Sequence, residues 1–480
     1  MIIDSFEDVV RYLNGSYTVK QDYQKLIDPI LHLEREKYLL SLLNSPENDF
    51  SIIHVAGSKG KGTTASYIAG LLRGKTDKIG LYLSPHVYSY KERWSYLDFF
   101  PNGITHFSDE AYIECARTIE KELHDHTKLT DIIGNIPPTP FELYTLFAAV
   151  LFRQENIKLA VFETGIGGRC DATNVFKTKA SVITHIEKEH TEILGASIEE
   201  IAREKCGIIK NSVPVFTTSQ DEHVLAVIKK EAKAKKADLT VVEQDAKTKR
   251  LAKSYLISSP RGIEDFSLAL YTAKHVSKTQ YLSPVSDIAL PAHGELIIDE
   301  DCAFILNGAH TKDSIADAIK NITYVIKNAN YTIYKKDMDL FESESASLKE
   351  VFDAFKDKKG LSSAIAIFGC AKDKDVDGMA EELLSHFKTI YVTELRDKSK
   401  TMPITDMLLA FEKASNKIDK VKTTSIIPMD SLDDCINLIH LRRSKSFPQY
   451  VAILGSFYLC GEMREESTLM TLPGLHHNGL

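Results

Sequence analysis

A short segment near the N-terminus combines the residue types that bind phosphate groups. Residues 52–64 predict a buried apolar strand, then a turn with three glycines and two lysines, and then the start of a helix. Glycines let a loop adopt positive φ and turn its N–H groups inward, and the following helix N-terminus adds partial positive charge. The segment therefore predicts a nucleotide-phosphate site, with a tight strand-to-helix connection as the alternative.

Side chains of the same segment could complete such a site. Lys61 can reach the terminal phosphates of a nucleotide, and the hydroxyl of Thr63 or Thr64 can face a magnesium ion. The spacing is a shortened relative of the usual phosphate-loop pattern, because Gly62 separates the lysine from the hydroxyl residues. The predicted nucleotide-binding residues are Gly57, Ser58, Lys59, Gly60, Lys61, Gly62, Thr63 and Thr64.

Four polar residues elsewhere in the chain need an explanation. Glu163 ends the apolar stretch 159–162, and an acid at a strand end opposite a phosphate loop predicts a magnesium ligand, with an ordinary surface acid as the alternative. Considered singly, His190 fits a core or surface histidine and Ser84 fits a turn residue. Lys205 fits a lysine that interacts with the last carbonyls of a helix.

Helix and strand patterns alternate along most of the chain, which predicts an α/β fold with mostly parallel sheets. The predicted strands are 79–83, 159–162, 180–186, 213–216, 303–306, 364–369 and 451–455, and the predicted helices are 64–72, 141–152 and 229–236. Several strands carry polar residues at their C-terminal ends, the edge where open parallel sheets bind ligands.

The chain is long enough for more than one domain. Its 480 residues and a change of pattern predict a first domain over residues 1–298 and a smaller, Rossmann-like α/β domain over residues 299–480. Residues 225–300 show a weaker pattern, and residues 290–294 are predicted as a linker. The charged segment 335–359 is predicted as a surface insertion in the second domain.

Composition excludes several classes of partner. A net charge of −8 argues against nucleic-acid binding, which favours a basic surface. The longest apolar stretch, residues 144–152, is too short to cross a bilayer, and the acidic start does not resemble a secretory signal. Seven scattered cysteines without a CxxC pair fit reduced thiols. We therefore expect a cytoplasmic protein that binds neither nucleic acid nor membranes.

Taken together, these segments resemble the folylpolyglutamate synthase and dihydrofolate synthase family of the Mur ligase superfamily. The matching motifs lie at residues 54–63, 84–86, 92–93, 141–143, 163–174, 190–195, 199–210, 308–310, 369, 373–375 and 455–458. The resemblance implies an N-terminal P-loop ATPase domain and an ATP-dependent ligase. It would join the carboxylate of a folate, or of dihydropteroate, to the amino group of L-glutamate through an acyl phosphate. A monomer is expected, and the sequence does not separate the two activities.

The resemblance also assigns roles to individual residues. Ser84 and Glu163 would hold one Mg²⁺, and Glu163 and His190 a second ion. Lys205 matches the family's carbamylated lysine, which would supply an anionic oxygen to that second ion. The implied catalytic residues are Lys61, His190, Lys205 and His310, and the implied nucleotide contacts of the second domain are His293, Asn307 and His310.

The chain departs from the family pattern mainly in its second half. Asn307 stands where the family has aspartate, and His293 stands where the family has a phosphate-binding arginine. Glu189 beside His190 is a milder change from aspartate. Two alternatives therefore stay open: a related Mur-type amino-acid ligase, and a nucleotide-binding member with weakened catalysis.

Overall fold

The structure is a computed structural model with two compact units. It describes residues 2–15, 29–99, 103–123, 138–255, 257, 259–279, 281–285, 288, 290–299, 302–323, 364–418, 424–442, 449–465 and 470–471. The first unit comprises residues 1–257 and 261–288, and the second comprises residues 258–260 and 289–480. The domain boundary at residue 298 stays a prediction; the contacts divide the chain somewhat earlier.

The first unit contains an eight-stranded sheet in its described residues. The strands are β1 (Ser51–Ala56), β2 (Lys78–Tyr82), β3 (Trp94–Asp98), β4 (Thr105–His106), β5 (Leu159–Glu163), β6 (Ala180–Ile183), β7 (Val215–Thr218) and β8 (Leu239–Val242). Their order across the sheet is β4-β3-β2-β5-β1-β6-β7-β8. Six of these strands run parallel, and β3 and β4 extend one edge by antiparallel pairing. The predicted mostly parallel α/β sheet is confirmed.

Helices accompany this sheet, and local sequence signals fix where two of them begin. They are α1 (Phe6–Gly15), α2 (Pro29–Leu42), α3 (Lys61–Leu72), α4 (Asp109–Leu123), α5 (Pro140–Gln154), α6 (Thr191–Leu194), α7 (Ile198–Lys205), α8 (Glu222–Ala234), α9 (Ala246–Ser254) and α10 (Pro260–Ser277). Thr139 and Glu142 cap α5 reciprocally, and Ser197 and Glu200 do the same for α7. Such capping boxes satisfy N–H groups that a helix start leaves open.

The core of the first unit is built around α5. Every residue from Leu143 to Phe152 is buried, and the ring of Phe147 lies 4.5 Å from that of Trp94. Burying large apolar side chains contributes roughly 1.5–3 kcal/mol each, so α5 stabilises the part of the sheet formed by β2, β3 and β5. Among the described helices, none combines the length and apolar character that a membrane span requires.

The second unit repeats the α/β theme on a separate sheet. Its strands are β9 (His293–Asp299), β10 (Cys302–Asn307), β11 (Ile365–Phe368), β12 (Thr389–Val392), β13 (Ser425–Pro428), β14 (Gln449–Leu454) and β15 (Met470–Thr471), in the order β13-β12-β11-β14-β10-β9-β15. Its helices are α11 (residues 312–323), α12 (Val376–His386), α13 (Ile404–Lys417), α14 (Leu432–Arg442) and α15 (Phe457–Glu465). Neighbouring strands from β13 to β10 pair in parallel, and β9 pairs antiparallel with both β10 and β15.

Several predicted elements differ from the structure. The strand predicted over residues 180–186 ends at Ile183, because the chain then turns and the carbonyl of His185 binds the phosphate loop. The strand predicted over residues 213–216 begins only at Val215, since Pro214 cannot donate to a ladder.

The weakly patterned region also holds regular structure. Residues 225–300 include α9, α10 and β8, and part of the predicted linker at residues 290–294 belongs to β9. The predicted insertion at residues 335–359 lies outside the described residues.

One buried carboxyl group, Glu36 of α2, lacks a counter-ion. It is fully buried, and neither of its carboxyl oxygens has a hydrogen-bond partner in the described chain. Burial raises the pKa of Glu36 well above its usual value, and the charge of Glu142 adds to this rise. The adjacent Arg35 is committed to Glu142 through hydrogen bonds of 2.8 and 2.6 Å. Glu36 is therefore favoured as the neutral acid.

We expect Glu36→Gln to remove part of the pH dependence of stability. Because folding raises the pKa of Glu36, the folded state binds more protons, and the free energy of unfolding falls as pH rises from the unfolded toward the folded pKa. At pH 8 the variant should exceed the wild type in free energy of unfolding by on the order of 1 kcal/mol, and the gap should close toward pH 5. Urea denaturation at both pH values measures this.

Glu34→Gln is the matched control, since Glu34 is an exposed acid on the same helix. An unchanged pH dependence in Glu36→Gln would contradict the assignment.

Candidate active site

Three parallel strands at the centre of the first sheet bring their C-terminal ends to one edge. β1 lies between β5 and β6, with Val55 opposite Glu163 and Ala56 opposite Ile183. The glycine-rich loop that follows β1 therefore starts beside Glu163 and beside the segment that follows β6. This is the edge at which open α/β sheets bind ligands.

Two glycines allow the loop its path. Gly57 has a φ of 154° and Gly60 a φ of 79°, both in the region that favours glycine. A Cβ on Gly57 would lie 1.8 Å from the Thr184 hydroxyl oxygen, and one on Gly60 would lie 2.1 Å from a carboxylate oxygen of Asp265. Other residues at these two positions would displace the loop.

The middle of the loop is anchored to the segment after β6. The backbone N–H groups of Ser58 and Lys59 both donate to the carbonyl of His185, at 2.8 and 3.1 Å. The hydroxyl of Ser58 donates to the carbonyl of Glu187 at 3.0 Å. These bonds hold the loop in place, so the N–H groups open to a ligand are those of the helix that follows.

Helix α3 begins at the end of the loop with its N–H groups uncapped by a side chain. Its N-cap is Gly60, and the first turn contains Lys61, Gly62 and Thr63. A helix N-terminus of this kind is an anion site. The hydroxyl of Thr64 is buried without a hydrogen-bond partner, which suits contact with a metal ion or its water. Of the two predicted hydroxyl groups, Thr64 is the one directed into the interior.

Glu163 and Ser84 come together at the neighbouring strand ends. The backbone N–H of Ser84 donates to Oε2 of Glu163 at 2.9 Å, and Glu163 is only 4% exposed. Burial raises the pKa of Glu163 to about 7, although the positive charges of Lys61 and Arg93 and the Ser84 hydrogen bond oppose the rise. A nearby cation would restore the ionised form. The carboxylate is thus a fitting ligand for a hard divalent ion.

Lys205 reaches the same place from the C-terminus of α7. Its Nζ donates to the carbonyl of Gly57 at 2.8 Å and to Oε1 of Glu189 at 2.9 Å. Burial and the charge of Lys61 lower the pKa of Lys205 to about 8, against the opposing attraction of Glu189. Lys205 is therefore a buried amine with an unusually accessible neutral form.

His190 is placed differently from its neighbour Glu189. It is exposed, has a φ of 49°, and its carbonyl accepts the N–H groups of Ile193 and Leu194 at the start of α6. Within the described ranges, no group of three or more His, Cys, Asp and Glu side chains could hold a metal by itself. A magnesium site here would need hydroxyl, phosphate and water oxygens in addition to Glu163.

The three predicted residues of the second unit also lie together. Asn307 ends β10 opposite His293 of β9, and its Oδ1 accepts the N–H of Ala309 at 3.0 Å. The ring of Phe457 lies 5.3 Å from that of His293 and 5.7 Å from that of His310. The histidine rings and the asparagine thus surround the C-terminal end of one strand.

Sequence reasoning left some residues of this region unassigned. Asp265 lies close to Gly60, but it belongs to a segment with a weak sequence pattern. Glu189 was noted only as a departure from the family's aspartate, and its contact with Lys205 was not predicted. Glu142, a motif residue with no clear role from sequence, caps α5 and forms a buried ion pair with Arg35. Arg35 and Glu142 are 107 positions apart in the sequence, so no local pattern could predict this pair.

Comparisons with known proteins agree with this architecture. The family model described as "Mur ligase middle domain" matches residues 114–280. The dihydrofolate synthase/folylpolyglutamate synthase of Bacillus subtilis is 37% identical over 201 residues, which cover 42% of this chain and 44% of that relative. The chain thus matches less than half of that relative's length. A probable dihydrofolate synthetase of Schizosaccharomyces pombe is 27% identical over 90% of this chain and 97% of its own length.

Solved structures show the same fold. Folylpolyglutamate synthase of Mycobacterium tuberculosis, complexed with ADP, superposes with a TM-score of 0.71 at 21% identity and covers 97% of this chain and 99% of its own. Folylpolyglutamate synthase of Thermotoga maritima gives a TM-score of 0.67 over 96% of both chains. By these matches the chain is similar to proteins of the folylpolyglutamate synthase and dihydrofolate synthase family, and its residues 114–280 match the Mur ligase middle domain.

Proposed function

We propose that this protein is an ATP-dependent ligase that joins the carboxylate of a folate or of dihydropteroate to L-glutamate. One observation carries the proposal: the uncapped helix start with Lys61 lies at the same sheet edge as the buried carboxylate of Glu163. The names of the relatives, folylpolyglutamate synthase and dihydrofolate synthase, support the choice of substrates. The ADP complex of the M. tuberculosis protein supports the choice of nucleotide.

The proposed reaction has two steps. An oxygen of the acid's carboxylate attacks the γ-phosphorus of ATP, the bond to the β-phosphate oxygen breaks, and ADP leaves. The amine of glutamate then attacks the carbonyl carbon of the acyl phosphate, and the amide forms as inorganic phosphate leaves and the amine loses a proton. Lys61 and the N–H groups of α3 would hold the phosphates and offset their charge during the first step.

We include magnesium in the proposal because the donors near the phosphate loop fit it. Glu163, Ser84 and the buried hydroxyl of Thr64 offer the hard oxygens that the ion prefers. A second ion would use Glu163 together with His190 and a carbamylated Lys205. When bound, the ions would neutralise charge on the transferring phosphoryl group.

The surroundings of Lys205 support the proposal that it is carbamylated. Only a neutral amine reacts with CO₂, and burial with the Lys61 charge lowers the pKa of Lys205 to about 8. Carbamylation would exchange a cation for an anionic oxygen beside Gly57, which would attract a metal that the ammonium repels.

Carbon NMR with ¹³C-bicarbonate at pH 8 tests this modification. We expect a carbamate signal from the wild-type protein with ATP and magnesium, and its loss in Lys205→Met. Lys210→Met is the matched control, because Lys210 is a partly buried lysine whose pKa is also lowered to about 8. A carbamate signal that survives in Lys205→Met would contradict the assignment.

The second unit carries the remaining predicted nucleotide contacts. We propose that the two compact units correspond to the ATP-binding domain and the C-terminal domain, and that His293, Asn307 and His310 contact ATP. A monomeric state and a cytoplasmic location belong to the same proposal. All seven cysteines are free, which fits a reducing compartment.

The departures in the second unit keep one alternative open, a nucleotide-binding protein with weakened catalysis. Histidine at position 293 offers a weaker phosphate contact than the family's arginine, because it is largely neutral near pH 7. Measured turnover decides between the two functions.

Phosphate release from ATP provides that measurement. We expect release that requires both L-glutamate and one of dihydropteroate, dihydrofolate or tetrahydrofolate. Glu163→Gln should lower this rate about 100-fold or more, because the amide cannot supply the anionic oxygen. Glu110→Gln, an exposed acid on α4, should behave as the wild type. ATP binding without any substrate-dependent release would favour the weakened-catalysis alternative.

A further inference from the structure

A buried arginine lies beside the candidate active site, and no carboxylate among the described residues forms an ion pair with it. Arg93 is only 9% exposed, and its carbonyl accepts the N–H of Leu83, the residue before Ser84. Its side chain therefore starts next to the strand end that also carries the Ser84–Glu163 contact. Its burial argues against an ordinary surface charge.

Neutral groups hold the guanidinium in place. Nε of Arg93 donates to Nδ1 of His86 at 2.8 Å, and the guanidinium carbon lies 4.7 Å from the ring centre of Tyr144 and 5.9 Å from that of Tyr90. The ring of His86 packs against that of Tyr90 at a tilt of 39°, with the ring centres 4.0 Å apart. Contacts between a cation and aromatic rings stabilise the charge without neutralising it.

A residue of the N-terminal helix fixes these two rings. The amide of Asn14 in α1 donates to the hydroxyl of Tyr90 at 2.9 Å, and its carbonyl oxygen accepts the hydroxyl of Tyr144. The two tyrosine rings meet edge to face at 6.1 Å. Both hydroxyl groups are thus occupied, and the rings are preorganised around the guanidinium.

The guanidinium keeps hydrogen-bonding capacity for a ligand. Five N–H groups are available to an arginine, and among the described residues Arg93 forms no ion pair with a carboxylate. A buried, unpaired positive charge is costly to a folded protein. The planar guanidinium can donate two parallel hydrogen bonds to the two oxygens of a carboxylate. The arrangement therefore suits an anionic ligand.

The strand order indicates which anion this is. β5 lies between β2, which leads to Ser84 and Arg93, and β1, which leads to the phosphate loop. Glu163 at the end of β5 is thus flanked by Arg93 on one side and by Lys61 on the other. The nucleotide phosphates are already assigned to Lys61 and the start of α3. Arg93 is therefore available to bind the anionic group of the second substrate.

We propose that Arg93, held by His86, Tyr90 and Tyr144, binds the carboxylate of the acid substrate that is to be phosphorylated. This inference rests on the proposed ligase function and assigns one substrate group to one side of Glu163. Arg93 would orient the carboxylate toward the phosphate loop, and the two tyrosine rings would exclude water around it.

Calorimetric binding with paired ligands tests the proposal. Dihydropteroate and tetrahydrofolate are each compared with the analogue whose reacting carboxylate is a carboxamide, in the presence of ATP analogue and magnesium. The wild type should bind the acid at least about tenfold more tightly than the amide. Arg93→Met should lose this preference while its affinity for the ATP analogue stays unchanged, and Arg93→Lys should retain part of it.

Lys91→Met is the matched control, since it removes a positive charge two positions away whose partner is Asp109. Trp94, the one tryptophan of the chain, lies 5.8 Å from the Tyr144 ring, and its fluorescence reports whether each variant keeps this packing. An unchanged acid preference in a folded Arg93→Met would overturn the Arg93 assignment alone. Failure of the wild type to bind either pterin ligand would overturn the proposed function as well.

Discussion

The in-register pairing of β1 with β5 and β6 is the constraint on which the site depends. It aligns Val55 with Glu163 and Ala56 with Ile183, so that three chain segments leave the sheet at one edge. The first becomes the phosphate loop, the second carries the buried carboxylate, and the third supplies the carbonyl of His185 that anchors the loop. A shift of one residue in this register would turn Glu163 to the opposite face of the sheet. The chemistry of the site therefore follows from the geometry of the sheet.

Buried charge is the second feature that links structure to function. Burial raises the pKa of Glu163 and lowers that of Lys205, so both groups are held away from the charged state that water would favour. Among the described residues Arg93 forms no ion pair, and it contacts a histidine and two tyrosine rings. Glu163 and Arg93 would each gain from a ligand of the opposite charge, whereas Lys205 already pairs with Glu189, and Glu142 and Arg35 pair with each other. Charged groups without a partner in the protein are thus candidates for substrate binding, whereas paired charged groups stabilise the fold.

The sequence predicted the parts of the protein that depend on local pattern. The phosphate loop, the strand ending in Glu163 and the helix α5 are each encoded in a short run of residues, and the parallel α/β class follows from their alternation. It could not predict contacts between distant segments, such as that of Lys205 with Gly57 or that of Asp265 with Gly60. The end of β6 was missed because bonding to the loop overrides the apolar pattern. The role of Arg93 required its burial and its aromatic neighbours, which are spread over three elements.

Transfer of labelled oxygen tests the central claim most directly, namely that this edge activates an acid by phosphorylation. The reacting carboxylate of the pterin substrate is labelled with ¹⁸O at both oxygens, and the inorganic phosphate released with L-glutamate is examined by mass spectrometry. The acyl phosphate route predicts one ¹⁸O atom in each phosphate released. Unlabelled phosphate, formed while the amide product accumulates, would contradict it.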